Sequence, residues 1–116
     1  MTSSSVSLAI DYLAVEETSE NNSVIIAKFA RLKQVCNRIL GCKIKVANIA
    51  RYKAMDTNCS YLVSISLNLS EGVELYTLRS PQPFSEDSFK IAIADAFARI
   101  YRKLIELRFE SETYLT

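Results

Sequence analysis

Between residues 5 and 12 apolar and polar positions alternate, with Val6, Leu8, Ile10 and Tyr12 on one parity and Ser7, Ala9 and Asp11 on the other. A period of two marks a strand with one buried face, because successive side chains of an extended chain point to opposite sides. The polar, acidic stretch 16–22 offers several helix-capping residues, and after Ser23 the rhythm changes to apolar residues at 25, 29, 32, 36 and 39. That spacing places Ile25, Phe29, Leu32, Cys36 and Ile39 on one stripe of a helix reaching about Leu40. Gly41 then stands where a helix often ends in a left-handed residue.

Alternation returns over residues 42–50. Ile44 and Val46 stand against Lys43 and Lys45 before Ile49 slips to the other parity, so this second strand carries a bulge or ends early. The third strand is the clearest: Tyr61, Val63, Ile65, Leu67 and Leu69 alternate with Leu62, Ser64, Ser66, Asn68 and Ser70. Ser70-Glu71-Gly72 makes a short turn into a fourth strand over 73–79, an antiparallel hairpin that Pro81 and Pro83 close. Ser85, Asp87 or Ser88 can cap a final helix whose apolar residues Phe89, Ile93, Phe97, Ile100, Leu104 and Leu107 keep helical spacing; residues 109–116 remain as a short polar tail.

The order is β-α-β-β-β-α. Strands with one apolar face demand that both helices cover the same side, which predicts an α+β fold: a four-stranded mixed sheet with two helices packed on one face. The first two strands are then parallel neighbours joined by a right-handed crossover. With 116 residues, 49% of them hydrophobic, and only 2 Gly and 2 Pro, the chain reads as one domain, 1–116, with an ordered core over about 5–108.

Composition excludes much chemistry. There is no histidine, so a Ser-His-Asp triad, a His general base and a His-ligated metal are all ruled out, and no metal or other cofactor is expected. The 3 cysteines (Cys36, Cys42, Cys59) form no C-x-x-C pair and are odd in number, which fits free thiols in a reducing compartment. Neither glycine belongs to a phosphate-cradling loop. The acids at 16, 17 and 20 and at 86 and 87 lie at helix starts, where carboxylates favour the positive end of the dipole. No enzyme is expected. The N-terminus lacks a basic, apolar leader and no segment is an 18-residue apolar run, so a cytoplasmic protein without membrane contact is expected.

Charge changes the picture by its placement, since 14 Lys and Arg against 13 acids leave a net charge of only +1. Lys28, Arg31 and Arg38 fall on one flank of the first helix, beside its buried stripe. Arg99, Arg102 and Lys103, with Arg108 further on, form a second stripe on the last helix. Helices packed side by side roughly 10 Å apart would merge the two stripes into one surface suited to phosphate backbones. Ordinary solvated helix faces are the competing reading.

The element order, together with the run 92–104 (AIADAFARIYRKL), resembles the ribosome hibernation-promoting factor family, also called sigma-54 modulation or ribosome-associated inhibitor proteins. The family's last helix reads like A-I-D-x-A-x-D-K-L-E-R-Q-L, matched here at Ala92, Ile93, Ala96, Arg99, Ile100, Arg102 and Leu104. Its K-x-x-K-L pattern is matched in the first helix at Lys28, Arg31 and Leu32. The sequence departs from the pattern at Ala98, where the family carries an acid, and in a longer, acidic loop before the first helix.

The resemblance implies a non-enzymatic translation inhibitor of the short form. It would dock in the mRNA and tRNA channel of the small ribosomal subunit, bind rRNA phosphates through Lys28, Arg31, Arg38, Arg99, Arg102, Lys103 and Arg108, and act in stressed or resting cells. The near-neutral charge and the acidic segment leave an alternative open: a protein-protein interaction or dimerisation module of the same fold without RNA binding. Homo-oligomerisation is open under either reading.

Overall fold

A computed structural model of the chain describes residues 6–49, 60–80 and 88–115, and the side chains of all of these except 108–115. The elements are β1 (Ser7–Leu13), α1 (Ser19–Val35), β2 (Ile39–Asn48), β3 (Tyr61–Leu69), a 3-10 turn (Ser70–Gly72), β4 (Glu74–Arg79) and α2 (Phe89–Leu115). The strands lie side by side in sequence order, with β1 parallel to β2 and antiparallel pairing from β2 to β3 and from β3 to β4. This is the expected four-stranded mixed sheet of an α+β fold.

Register aligns the alternation of every strand into one apolar face. Ile10 stands opposite Ile44, Ile44 opposite Ile65 and Ile65 opposite Thr77; the neighbouring row runs Tyr12, Val46, Val63, Arg79. Ile44, Ile65, Val63 and Leu67 are fully buried beneath Ile25, Phe29 and Leu32 of α1 and Ile93, Phe97 and Ile100 of α2. Each such side chain contributes about 1.5–3 kcal/mol of hydrophobic stabilisation when removed from water.

Several boundaries differ from those read off the spacing. Helix α1 ends at Val35, where Cys36 turns extended (φ −137°, ψ 111°) and its N–H bonds the Leu32 carbonyl. Ile39 is buried all the same, as the first residue of β2, so the apolar spacing continued across a helix-to-strand change by coincidence of the two periods. Gly41 is therefore no helix cap. It lies in β2 opposite Ser7, beside a register shift between Ile39 and Gly41, and a Cβ there would sit 3.0 Å from the Ser7 hydroxyl. The irregularity of β2 is at its start, not near Ile49, and pairing is regular through Asn48.

The β3–β4 turn needs left-handed backbone at Glu71 (φ 67°) and Gly72 (φ 74°), which explains the glycine. Ser88 caps α2, its hydroxyl accepting from the Ile91 N–H at 3.1 Å. Ser85, Asp87, Pro81, Pro83 and Cys59 lie outside the described residues. The helix continues beyond residue 108 to Leu115, so the polar tail is an extension of α2.

Cys42 lies on the helix-covered face of β2, and burial pushes its thiol up to about 12 from an ordinary value of 9.0. The native chain holds that proton while the unfolded chain releases it, so folding stability falls as pH rises from about 9 towards 12. Denaturant titrations between pH 8 and 11, as a series of roughly four points, should show this decline flattened in Cys42→Ala. Parallel curves for the two proteins would disprove it.

Candidate nucleic-acid interface

Helix α1 is anchored at its N-terminal turn by two hydrogen bonds. The Thr18 hydroxyl accepts from the Asn21 N–H at 3.0 Å, a side-chain cap on the first turn. Tyr12 of β1 donates its hydroxyl to Asn22 at 2.7 Å, and its pKa is raised first by burial and then by the nearby Glu17 carboxylate. With Ile25, Phe29 and Leu32 pinned to the sheet, the flank carrying Lys28, Arg31 and Val35 is turned towards α2.

Helix α2 buries Ala92, Ile93, Ala96, Phe97, Ile100 and Leu104. Its row Ala94, Ala98, Tyr101 (i, i+4, i+7) consequently faces α1. The two helices leave a groove of about 400 Å³ between them, walled by Lys28, Arg31, Gln34 and Val35 on one side and by Ala94, Ala98 and Tyr101 on the other, over Leu32 and Phe97.

The seven basic residues singled out from the sequence separate into groups. Lys28 and Arg31 stand together on the groove wall. Arg99, Arg102 and Lys103 share the exposed side of α2, but Arg99 and Lys103 are rotated by about 100° or more from the row that faces α1. Lys103 is turned to the sheet edge, where its ammonium donates to the Tyr76 carbonyl of β4. Lys28 and Arg31 thus line the groove, and Arg99, Arg102 and Lys103 do not.

Arg38 is not on α1, because the helix ends three residues before it. It sits in the turn into β2, donating to the Ser70 hydroxyl at 3.1 Å and to the Ser70 carbonyl at 3.4 Å, with the Glu71 carboxylate at 3.7 Å. Its role in the structure is to tie that turn to the β3–β4 turn. The side chain of Arg108 lies outside the described side chains.

Two features escape sequence reading. Arg79, at an apolar-parity position of β4, is fully buried (0% exposed), donating to the Tyr61 carbonyl at 3.0 Å and to Asp95 of α2 at 3.2 Å. Asp95, half-exposed on α2, is thereby paired with a cation of the sheet. Tyr101 is the second: it lies off the buried stripe yet is an aromatic residue, 41% exposed, beside two alanines. An aromatic residue at a solvent-facing helical position is the signal that could have found it.

The opposite face of the sheet carries a second concavity of about 450 Å³, where Leu13, Leu62, Tyr76 and Leu78 surround both Asp11 and Lys45. Among the described residues no group of three or more Cys, Asp or Glu is placed to hold a metal, and no helix is long and apolar enough to cross a membrane.

No protein-family model matches the chain, and no curated protein matches it. Its fold is similar to that of a ribosomal subunit interface protein from Coxiella burnetii, at 12% identity and a TM-score of 0.67, over 89% of this chain and 98% of that one. It is similar also to the Protein Y N-terminal domain of Thermus thermophilus, at 17% identity and a TM-score of 0.65, over 87% of this chain and 94% of that one. Both likenesses extend over nearly the whole of each chain, and they agree with the fold that the resemblance of the α2 run implies.

Proposed function

We propose that this chain is a ribosome-associated, non-enzymatic factor that binds small-subunit rRNA through its helical side and restrains translation. The observation that carries the reading is the likeness of nearly the whole chain to a ribosomal subunit interface protein, 98% of which is matched. The cations support it: Arg31 is exposed on α1 with Lys28 half-buried beside it, and Arg99 and Arg102 are exposed on α2. A reading that needs only phosphate contacts asks for such exposed cations on a rigid helical layer and for no catalytic group. Lys103 and Arg108 complete the proposed set on α2. Arg38 belongs to the proposed set as well, with its guanidinium hydrogen-bonded to Ser70.

Co-sedimentation of the chain with purified small ribosomal subunits tests the reading. Binding is expected at low salt, with the logarithm of affinity falling linearly as the logarithm of salt concentration rises, because each phosphate neutralised releases condensed counterions. No association at low salt would overturn it.

A second reading, an interaction or dimerisation module of the same fold without RNA binding, is favoured by the exposed Leu13, Tyr76 and Leu78 on the open face of the sheet. A stable dimer by light scattering, combined with no sedimentation with ribosomes, would select it.

A further inference from the structure

Building on the ribosome-binding reading, we propose that the groove between α1 and α2 seats one unpaired RNA base, stacked on Tyr101, while Lys28 and Arg31 hold the phosphates that flank it. Three observations converge on this occupant.

The first is charge. Lys28 and Arg31 are cations on the groove wall, and among the described residues no carboxylate lines it. The comparable concavity on the open sheet face mixes Asp11 with Lys45 and so has no preference for an anion.

The second is the aromatic ring. The buried stripe of α2 is complete with Ile93, Phe97, Ile100 and Leu104, so Tyr101 is not needed by the core and stands 41% exposed at the groove wall. Base-on-aromatic stacking is sequence-tolerant, since every base has a π-face, and it needs an exposed ring of this kind.

The third is room. Ala98 and Ala94, about one and two turns before Tyr101, remove bulk beside the ring, and Leu32, Phe97 and Val35 supply an apolar floor and wall. The resulting volume of about 400 Å³ is within the range of small-molecule sites and suits a planar heterocycle with a charged rim. Bases stacked inside an A-form stem cannot reach such a groove, so the RNA element selected is a loop, bulge or single strand.

The chain contains no tryptophan, which makes Tyr101→Trp a single-indole reporter of the groove. The probes are a short oligoadenylate and an abasic sugar-phosphate strand of equal length and charge. Oligoadenylate should quench the indole and bind about tenfold or more tightly than the abasic strand; Tyr101→Leu should erase that difference without altering abasic binding, and Tyr101→Phe should keep it. Equal affinity of the wild-type chain for the two strands, or an unquenched indole at saturating oligoadenylate, overturns the proposal.

Should Tyr101→Leu fail to fold, the quenching and the two-strand comparison still decide. Wild-type co-sedimentation with small subunits is measured alongside. Retained sedimentation with no preference for bases removes only the stacked base. A preference for bases without sedimentation removes the ribosomal reading and leaves the groove as a single-strand RNA site.

Discussion

Reversing the charge of the α1 pair, Lys28→Glu with Arg31→Glu, should lower affinity for the small ribosomal subunit by about a hundredfold or more. Two charge-assisted hydrogen bonds are worth about 3 kcal/mol or more together, and a tenfold change in affinity corresponds to about 1.4 kcal/mol. The slope of log affinity against log salt should also become shallower by about two, one for each phosphate that is no longer neutralised. The informative control is Lys43→Glu with Lys45→Glu, which changes net charge equally. Both lysines are exposed on β2, on the parity opposite the buried Cys42, Ile44 and Val46, and so on the face away from the helices. That pair should reduce affinity only through long-range attraction, which about 0.15 M salt screens beyond roughly 8 Å. Equal losses from the two pairs would show that overall charge, and not the helical face, governs binding. Lys28 and Arg31 lie beside the core residues, not among them, so both variants should keep the fold of the parent chain.

Replacing Ile65 by alanine should cost about 2–5 kcal/mol of folding stability. Ile65 is fully buried at the centre of β3, opposite Ile44 on one side and Thr77 on the other, and forms part of the core that both helices cover. Deleting most of its side chain loses the transfer free energy of the missing carbons, and the rigid sheet cannot close the space that remains. For a domain of this size such a loss lowers Tm by about 10 °C or more. Thermal unfolding followed by circular dichroism measures it. Ser66→Ala, one residue along on the other face of β3, serves as comparison and should shift Tm little. A shift for Ile65→Ala as small as that of Ser66→Ala would contradict the assignment of faces in the sheet.

Much of the fold was legible because strand and helix impose different periods on the same apolar alphabet. The alternation at 61–69 defined β3, and the spacing from Phe89 to Leu104 defined α2 and its inward face. The boundary between α1 and β2 was not legible. Cys36 and Ile39 continue a helical spacing, and only the hydrogen bonding of β2 with β3 shows that Ile39 is already paired with Leu69. Arg38 went with that boundary: once the helix ends at Val35, its guanidinium meets Ser70 and Glu71, residues more than thirty positions away.

For the candidate site, the sequence by itself determined which helical positions are apolar and which carry cations, because burial stripe and charge are both properties of local spacing. It determined the β-α-β-β-β-α order for the same reason. Which flank of each helix meets the other depends on how the two buried stripes seat on one twisted sheet, and that is a relation between distant segments. Only the tertiary structure therefore decided that Lys28 and Arg31 share a groove with Tyr101, that Asp95 is paired with the buried Arg79, and that Lys103 leans to β4. A pattern along the chain reports the angle of a side chain about its own helix; the partner across the groove is set by packing.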